Sequence, residues 1–197
     1  MRNLFVFLFV GCLFLSCKSE TSKGEACQAV VSVYKVYESP ELVEMINVVA
    51  TDNDSLRTYL LIELTKGYNS FATITPNDTT AVKSFISELD FDTPSTCAFV
   101  PLNNSTRDEY YLLVVYEQTP LISETVTLSI SSREDGENEA LFKFADANKW
   151  ERITQENMGR QLALAVNGVI KSAPIVQEPI KGGSCSVTGA DIDELIK

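Results

Sequence analysis

The spacing of apolar and polar residues predicts both strands and helices in the first half of the chain. Apolar and polar positions alternate over residues 31–36, which predicts a strand. Ser39 and Pro40 are typical of a helix start, with Ser39 as the N-cap residue. Residues 56–64 are apolar and fit either a helix or a strand, whereas residues 79–89 have the apolar stripe of an amphipathic helix.

The pattern in the second half of the chain is dominated by strands. Residues 110–116 are a run of Tyr, Leu and Val that is typical of a buried strand. Shorter strands are predicted over residues 97–100, 126–130 and 140–144. Asp146 is then predicted to cap a helix that ends before Gly159. The residues on the buried face of this helix are Ala147, Trp150, Ile153, Thr154 and Met158.

Residues 161–188 combine strand patterns with the residues of tight turns. Asn167 and Gly168 separate two apolar runs and predict a type I′ hairpin turn, because both residues accept a positive φ. Pro174 has no N–H to donate, so the second run ends there or lies at a sheet edge. Gly182 and Gly183 predict another reversal before a last strand.

The order of these elements predicts an α+β fold. We expect helices on one face of a largely antiparallel sheet. Within it, residues 161–188 are expected to form a meander of three strands, followed by a short helix over residues 190–196. The alternating Ala163 and Ala165 leave room for another element to pack closely on one face of the first of these strands.

The first residues of the chain have the pattern of a bacterial lipoprotein signal. Residues 1–16 contain one charge, at Arg2, and an apolar stretch that is too short to span a bilayer stably. Cys17 follows directly and resembles the lipobox cysteine, whose sulfur receives a diacylglyceryl group. We therefore predict a signal peptide over residues 1–16, fatty acids on Cys17 and a tether over residues 17–29, with an ordinary secretory signal as the alternative.

Composition and charge exclude several classes of function. The chain has 16 Lys and Arg against 27 Asp and Glu, a formal net charge of −11, so no basic face for nucleic acid is expected. The chain contains no His, which removes Ser-His-Asp and Cys-His catalysis and most zinc chemistry. We predict that the protein is not an enzyme and needs no cofactor or metal.

Cysteines and clustered acids give no further site. Cys27, Cys97 and Cys185 match no metal motif and are expected either as small buried residues or as one disulfide with a thiol left over. The acidic residues of residues 134–139 lack the spacing of a calcium loop and fit a solvated turn.

A run of turn and helix residues over residues 149–189 resembles a known family. The run carries Trp150, Thr154, Asn157 and Gly159, then Asn167-Gly168, Ser172-Ala173-Pro174, Gly182-Gly183 and Val187-Thr188-Gly189. This order is similar to the head of the first periplasmic domain, P1, of SecD and the fused SecDF proteins. One difference is Asn167-Gly168, where that family usually has Asp-Gly. The resemblance implies a P1 head-like domain over residues 110–197 and a base-like region over residues 30–109.

The resemblance also implies a function and partners. P1 is thought to bind preprotein, so we expect a lipid-anchored envelope protein, facing the periplasm or the cell surface, that binds unfolded or translocating polypeptide. Sec translocon subunits are its other candidate partners. The alternative is an envelope interaction or immunity module that binds one folded partner. The candidate polypeptide-binding residues are Asn167, Gly168, Ser172, Ala173, Pro174, Gly182 and Gly183. Turn geometry alone is the competing explanation for these residues.

Overall fold

The computed structural model of the chain describes residues 26–49, 53–66, 72–101, 110–132 and 138–188. The strands are β1 (Ala26–Lys35), β2 (Thr73–Ile74), β3 (Ser95–Pro101), β4 (Tyr111–Glu117), β5 (Ile122–Ser132), β6 (Asn138–Lys143), β7 (Leu162–Val166), β8 (Val169–Ser172) and β9 (Ser184–Thr188). The α-helices are α1 (Ser39–Val48), α2 (Asp54–Lys66), α3 (Thr79–Ser87) and α4 (Ala147–Glu156). Cys17, the signal peptide and the helix predicted over residues 190–196 lie outside the described residues.

Six strands form the larger of two antiparallel sheets. Their order is β8-β7-β1-β5-β6-β9, with β1 paired to β7 on one side and to β5 on the other. The α4 helix packs on one face of this sheet through Trp150 and Ile153, against apolar residues such as Val31, Leu128 and Leu164. The α+β class and the antiparallel pairing predicted from the sequence are confirmed.

Three strands form the second sheet, in the order β2-β4-β3. Helices α1, α2 and α3 pack on one face of it and bury, among others, Ile46, Leu60 and Phe85 against β4. The opposite side of β4 contributes Val114 to a small cluster with Ala163 and Ala165 of β7. The close packing predicted for the two alanines is therefore confirmed, and the small side chains allow the two sheets to approach.

The predicted three-stranded meander is wrong. After β8 the chain does not turn back beside it, because β9 pairs with β6 at the far edge of the larger sheet. The connection, residues 173–183, reaches about 36 Å when extended, whereas the five strand spacings to be crossed span about 24 Å. The Ile180 N–H donates to Thr154 Oγ1 on α4 at 2.9 Å, which fixes the route past that helix.

The predicted domain limits also differ from the architecture. β1 begins at Ala26, so residues 26–29 belong to a strand rather than to the tether. β1 comes from the base-like region but lies inside the larger sheet, whereas β4 comes from the head-like region and lies in the smaller one. The boundary near residue 110 therefore does not separate two independent sheets.

Helix starts show which local predictions fail. Glu38, not Ser39, is the N-cap residue of α1, and its N–H donates to the Glu41 carboxylate at 2.9 Å. The ambiguous residues 56–64 lie in α2. The cap predicted at Asp146 is confirmed, because its carboxylate accepts from the Lys149 N–H at 2.9 Å. Met158 was predicted to be buried but is 54% exposed, because α4 ends at Glu156.

Among the described residues, no helix combines the length and apolar character that crossing a bilayer requires. Cys97 lies in the core of the smaller sheet and Cys27 and Cys185 pack against that of the larger one. Burial raises the pKa of the Cys97 and Cys185 thiols to about 11.

Candidate polypeptide-binding edge

Asn167 and Gly168 form the predicted turn between β7 and β8. Their φ angles are 50° and 81°, as a type I′ turn requires. The Asn167 side-chain oxygen accepts from the Val30 N–H at 2.9 Å, and the Asn167 N–H donates to the Val30 carbonyl at 2.8 Å. Asn167 thus extends the pairing of the hairpin with β1, and this role is structural.

Gly182 and Gly183 lie at the opposite edge of the larger sheet, immediately before β9. Both have a positive φ, 77° and 79°. The Gly183 carbonyl accepts from the Phe144 N–H at 3.0 Å, and a Cβ on Gly183 would lie 2.7 Å from the Phe144 oxygen. Gly183 is therefore required by a close backbone approach, and it is not brought together with Asn167 or Pro174 in one site.

Ser172, Ala173 and Pro174 lie at the outer edge of the larger sheet. Ser172 pairs with Leu164, and a β-bulge at Lys171 precedes it. The same register continues beyond β8, because the Leu162 N–H donates to the Pro174 carbonyl at 3.1 Å and the Val176 N–H donates to the Arg160 carbonyl at 2.9 Å. We call residues 169–176 the edge segment, since apart from the bulge at Lys171 it runs antiparallel to β7 and to the residues just before β7.

Beyond the bulge at Lys171, two residues of the edge segment direct their backbone away from β7. In an antiparallel ladder, every second residue bonds to the neighbour and the residues between point to the other side. Pro174 and Val176 bond inward, so Ala173 and Ile175 point outward, as the bridge between Gln161 and Ile175 requires. Within the described residues, no hydrogen bond engages the backbone of Ala173 or Ile175.

The position of Pro174 keeps this edge open. Proline commonly blocks an edge strand by removing an outward N–H. Here the missing N–H would face Leu162, so the outward donors of Ala173 and Ile175 remain. Pro174 was predicted to end the strand or to lie at a sheet edge; β8 ends at Ser172, and Pro174 continues along the edge of the larger sheet.

Several side chains along the open edge are apolar. Ala173 packs against the cluster between the two sheets, and Ile175 is 37% exposed. Met158 is exposed next to Gly159, whose N–H donates to the Val176 carbonyl at 2.8 Å. Sequence reasoning missed Ile175 and Met158, although the apolar residues that continue after Pro174 were a usable signal for a longer edge.

The chemistry that this edge offers is hydrogen bonding and apolar contact. The nearby ion pair joins Arg160 to Glu41 of α1 at 3.4 Å, and both side chains are more than one third exposed. Among the described residues, no group of three or more Cys, Asp or Glu side chains is placed to hold a metal ion.

Comparison with known proteins shows what this part of the chain is similar to. Residues 106–194, which include the edge segment and both turns, match the family model of the SecDF P1 head subdomain. The C-terminal part of the chain is a SecD P1 head-like domain. The resemblance predicted from the turn residues is therefore confirmed.

The relatives of the P1 head-like domain are much longer proteins. The chain is 34% identical over 86 residues to the protein translocase subunit SecD of Syntrophobacter fumaroxidans, a match that covers 42% of this chain and 16% of SecD. It is 31% identical over 91 residues to SecD of Rhodothermus marinus, with 45% and 15% covered. The chain thus aligns with less than one fifth of the length of either SecD.

A solved structure of SecDF, described as a membrane component that enhances protein export, is also similar. The match has a TM-score of 0.39 at 17% identity and covers 85% of this chain and 59% of the SecDF chain. The family match begins at residue 106, so it does not include β1. The larger sheet of this chain nevertheless contains β1 as one of its strands.

Proposed function

We propose that the chain is an envelope lipoprotein whose P1 head-like domain binds translocating or otherwise nonnative polypeptide in support of protein export. The match of residues 106–194 to the SecDF P1 head subdomain is the observation that carries this proposal. The role requires binding and no chemical turnover, which agrees with the absence of His from the sequence.

The edge segment supports polypeptide binding physically. An extended chain that joins a sheet edge is held mainly through its backbone, so many different sequences bind in the same way. The net charge of −11 favours neutral or basic bound chains over acidic ones. A protein that meets many polypeptides in transit needs this kind of tolerance.

The anchor part of the proposal concerns Cys17. Acyl chains on its sulfur would hold the domain at a membrane surface, because each buried CH2 contributes about 0.8 kcal/mol. We predict that Cys17→Ala moves the protein from the membrane to the soluble fraction. Cys27→Ala is the matched control. If the Cys17→Ala protein stays in the membrane fraction, lipidation of Cys17 is contradicted.

Crosslinking in cells tests the binding role. A photoreactive amino acid at Ile175 of the full chain is expected to capture many different polypeptides and translocon subunits. The same group at Ser129, which is exposed on β5, serves as the control and is expected to capture few. Capture of a single folded partner in equal amount would instead support an interaction or immunity module.

A further inference from the structure

We infer that the edge segment binds a polypeptide by strand addition at Ala173 and Ile175, beyond the bulge, which selects extended segments with free N–H groups at two alternate positions. This inference rests on the proposed function and specifies how its partner is held. Each of the two outward-facing residues offers one N–H donor and one carbonyl acceptor. Together they provide four backbone hydrogen bonds, at positions about 7 Å apart along the edge.

The same geometry limits what the bound segment contains. In either strand orientation, the N–H groups that donate to Ala173 and Ile175 come from residues two apart in the bound chain. Proline is therefore excluded at those two positions and tolerated at the one between them. The bulge at Lys171 ends the regular edge on one side, so a segment of a few residues is sufficient.

The occupant is a foreign chain rather than a second copy of this protein. Two copies could in geometric terms pair their edge segments, but each carries 27 acidic against 16 basic residues and the two would repel. A neutral or basic extended segment meets no such repulsion. The charge of the chain thus favours hetero-association at an edge that would otherwise invite self-pairing.

Proline substitutions on the protein test this inference. Ala173→Pro and Ile175→Pro each remove an outward donor and place a ring against the incoming strand, while every bond to β7 is retained. Pro174→Ala is the matched control, because it changes an inward position. Ile175→Ala removes most of the side chain and keeps the N–H, so it separates the contribution of the side chain to binding from that of the backbone. The probe is reduced and carboxamidomethylated ribonuclease A, a basic polypeptide that stays unfolded, titrated against the full lipidated chain in detergent.

We expect the proline variants to lose at least tenfold in affinity, with Pro174→Ala and Ile175→Ala within about threefold of wild type. Wild-type affinity in both proline variants would overturn strand addition and leave the proposed function standing. No binding by the wild-type chain would overturn both. A wild-type dimer that Ile175→Pro dissociates, seen by light scattering, would assign the edge to a second copy and also overturn the inference. Unfolding curves check that each variant folds. If only one of the two proline variants folds, its affinity alone decides the test.

Discussion

The two outer strands of the larger sheet, β8 and β9, come from neighbouring stretches of sequence, but the residues next to them differ in packing and in hydrogen bonding. Before β9, Gly183 is packed so closely against Phe144 and Ala147 that no side chain fits. Beyond β8, Ala173 and Ile175 keep backbone donors and acceptors that no described residue uses. Turn residues that look equivalent in the sequence therefore divide into one group that closes the fold and another that leaves an edge open.

This difference separates residues that fix the backbone conformation from residues that we propose to bind polypeptide. Asn167, Gly182 and Gly183 have positive φ angles, and two of the three also make specific backbone contacts. Changes there are expected to alter stability. Changes at Ala173 and Ile175 are expected to alter binding, because these residues contribute no hydrogen bond to the ladder.

The largest effect on stability is expected at Gly183. Gly183→Ala combines a positive φ with a contact 2.7 Å from the Phe144 oxygen, and should lower the free energy of unfolding by about 3 kcal/mol. Gly182→Ala is the control, because it has a similar φ and no neighbour within 4 Å, and should cost about 1 kcal/mol. Urea denaturation measures both, and equal costs would disprove the close approach.

The partly buried thiol of Cys185 on β9 predicts a pH effect. Burial raises the pKa of Cys185 from 9.0 to about 11, so the folded state keeps a proton that the unfolded chain releases. The free energy of unfolding should therefore fall as pH rises through this window, by about 2 kcal/mol more in wild type than in Cys185→Ala. Parallel curves for the two proteins, from urea denaturation at pH 8 to 11, would contradict the desolvation of the Cys185 thiol.

A smaller effect is expected at Asn167. Asn167→Ala loses the acceptor for the Val30 N–H and places Ala at a φ of 50°, so about 1.5 kcal/mol should be lost. Asn167→Asp keeps an acceptor oxygen and should cost less than about 0.5 kcal/mol. Thermal unfolding compares them, and a tolerated alanine would mean that the side chain does not hold the hairpin to β1.

The smallest effect on stability is expected at the open edge. Ile175→Pro removes no ladder bond, so its unfolding free energy should lie within about 0.5 kcal/mol of wild type. A loss of several kcal/mol would show that the Ile175 N–H is in use within the folded chain, and the comparison between the two outer strands would fail.

Local features of the fold were predictable from the sequence, but strand pairing was not. Asn167-Gly168 and the Asp146 cap follow from residue chemistry within a few positions, and both are confirmed. The path of β9 depends on where residues 173–183 cross the sheet, and periodicity carries no information on that route.

The proposed binding edge was predicted only in part for a similar reason. Pro174 marks an edge in any sequence, but which side its missing N–H faces depends on the register after the bulge at Lys171. Ile175 was missed because the predicted second strand was not extended past the proline. The alternation of apolar and polar residues does not show where a bulge lies. A bulge shifts the pairing of the residues after it by one position, so the side that Pro174 faces could not be predicted.

Amide hydrogen exchange on the full chain tests the central claim most directly. In the free protein, the Ala173 and Ile175 amides should exchange rapidly, whereas the Val176 amide, bonded to Arg160, should be protected. Saturation with unfolded ribonuclease A should slow exchange at Ala173 and Ile175 together. Unchanged rates at both residues in the saturated complex would contradict strand addition at this edge.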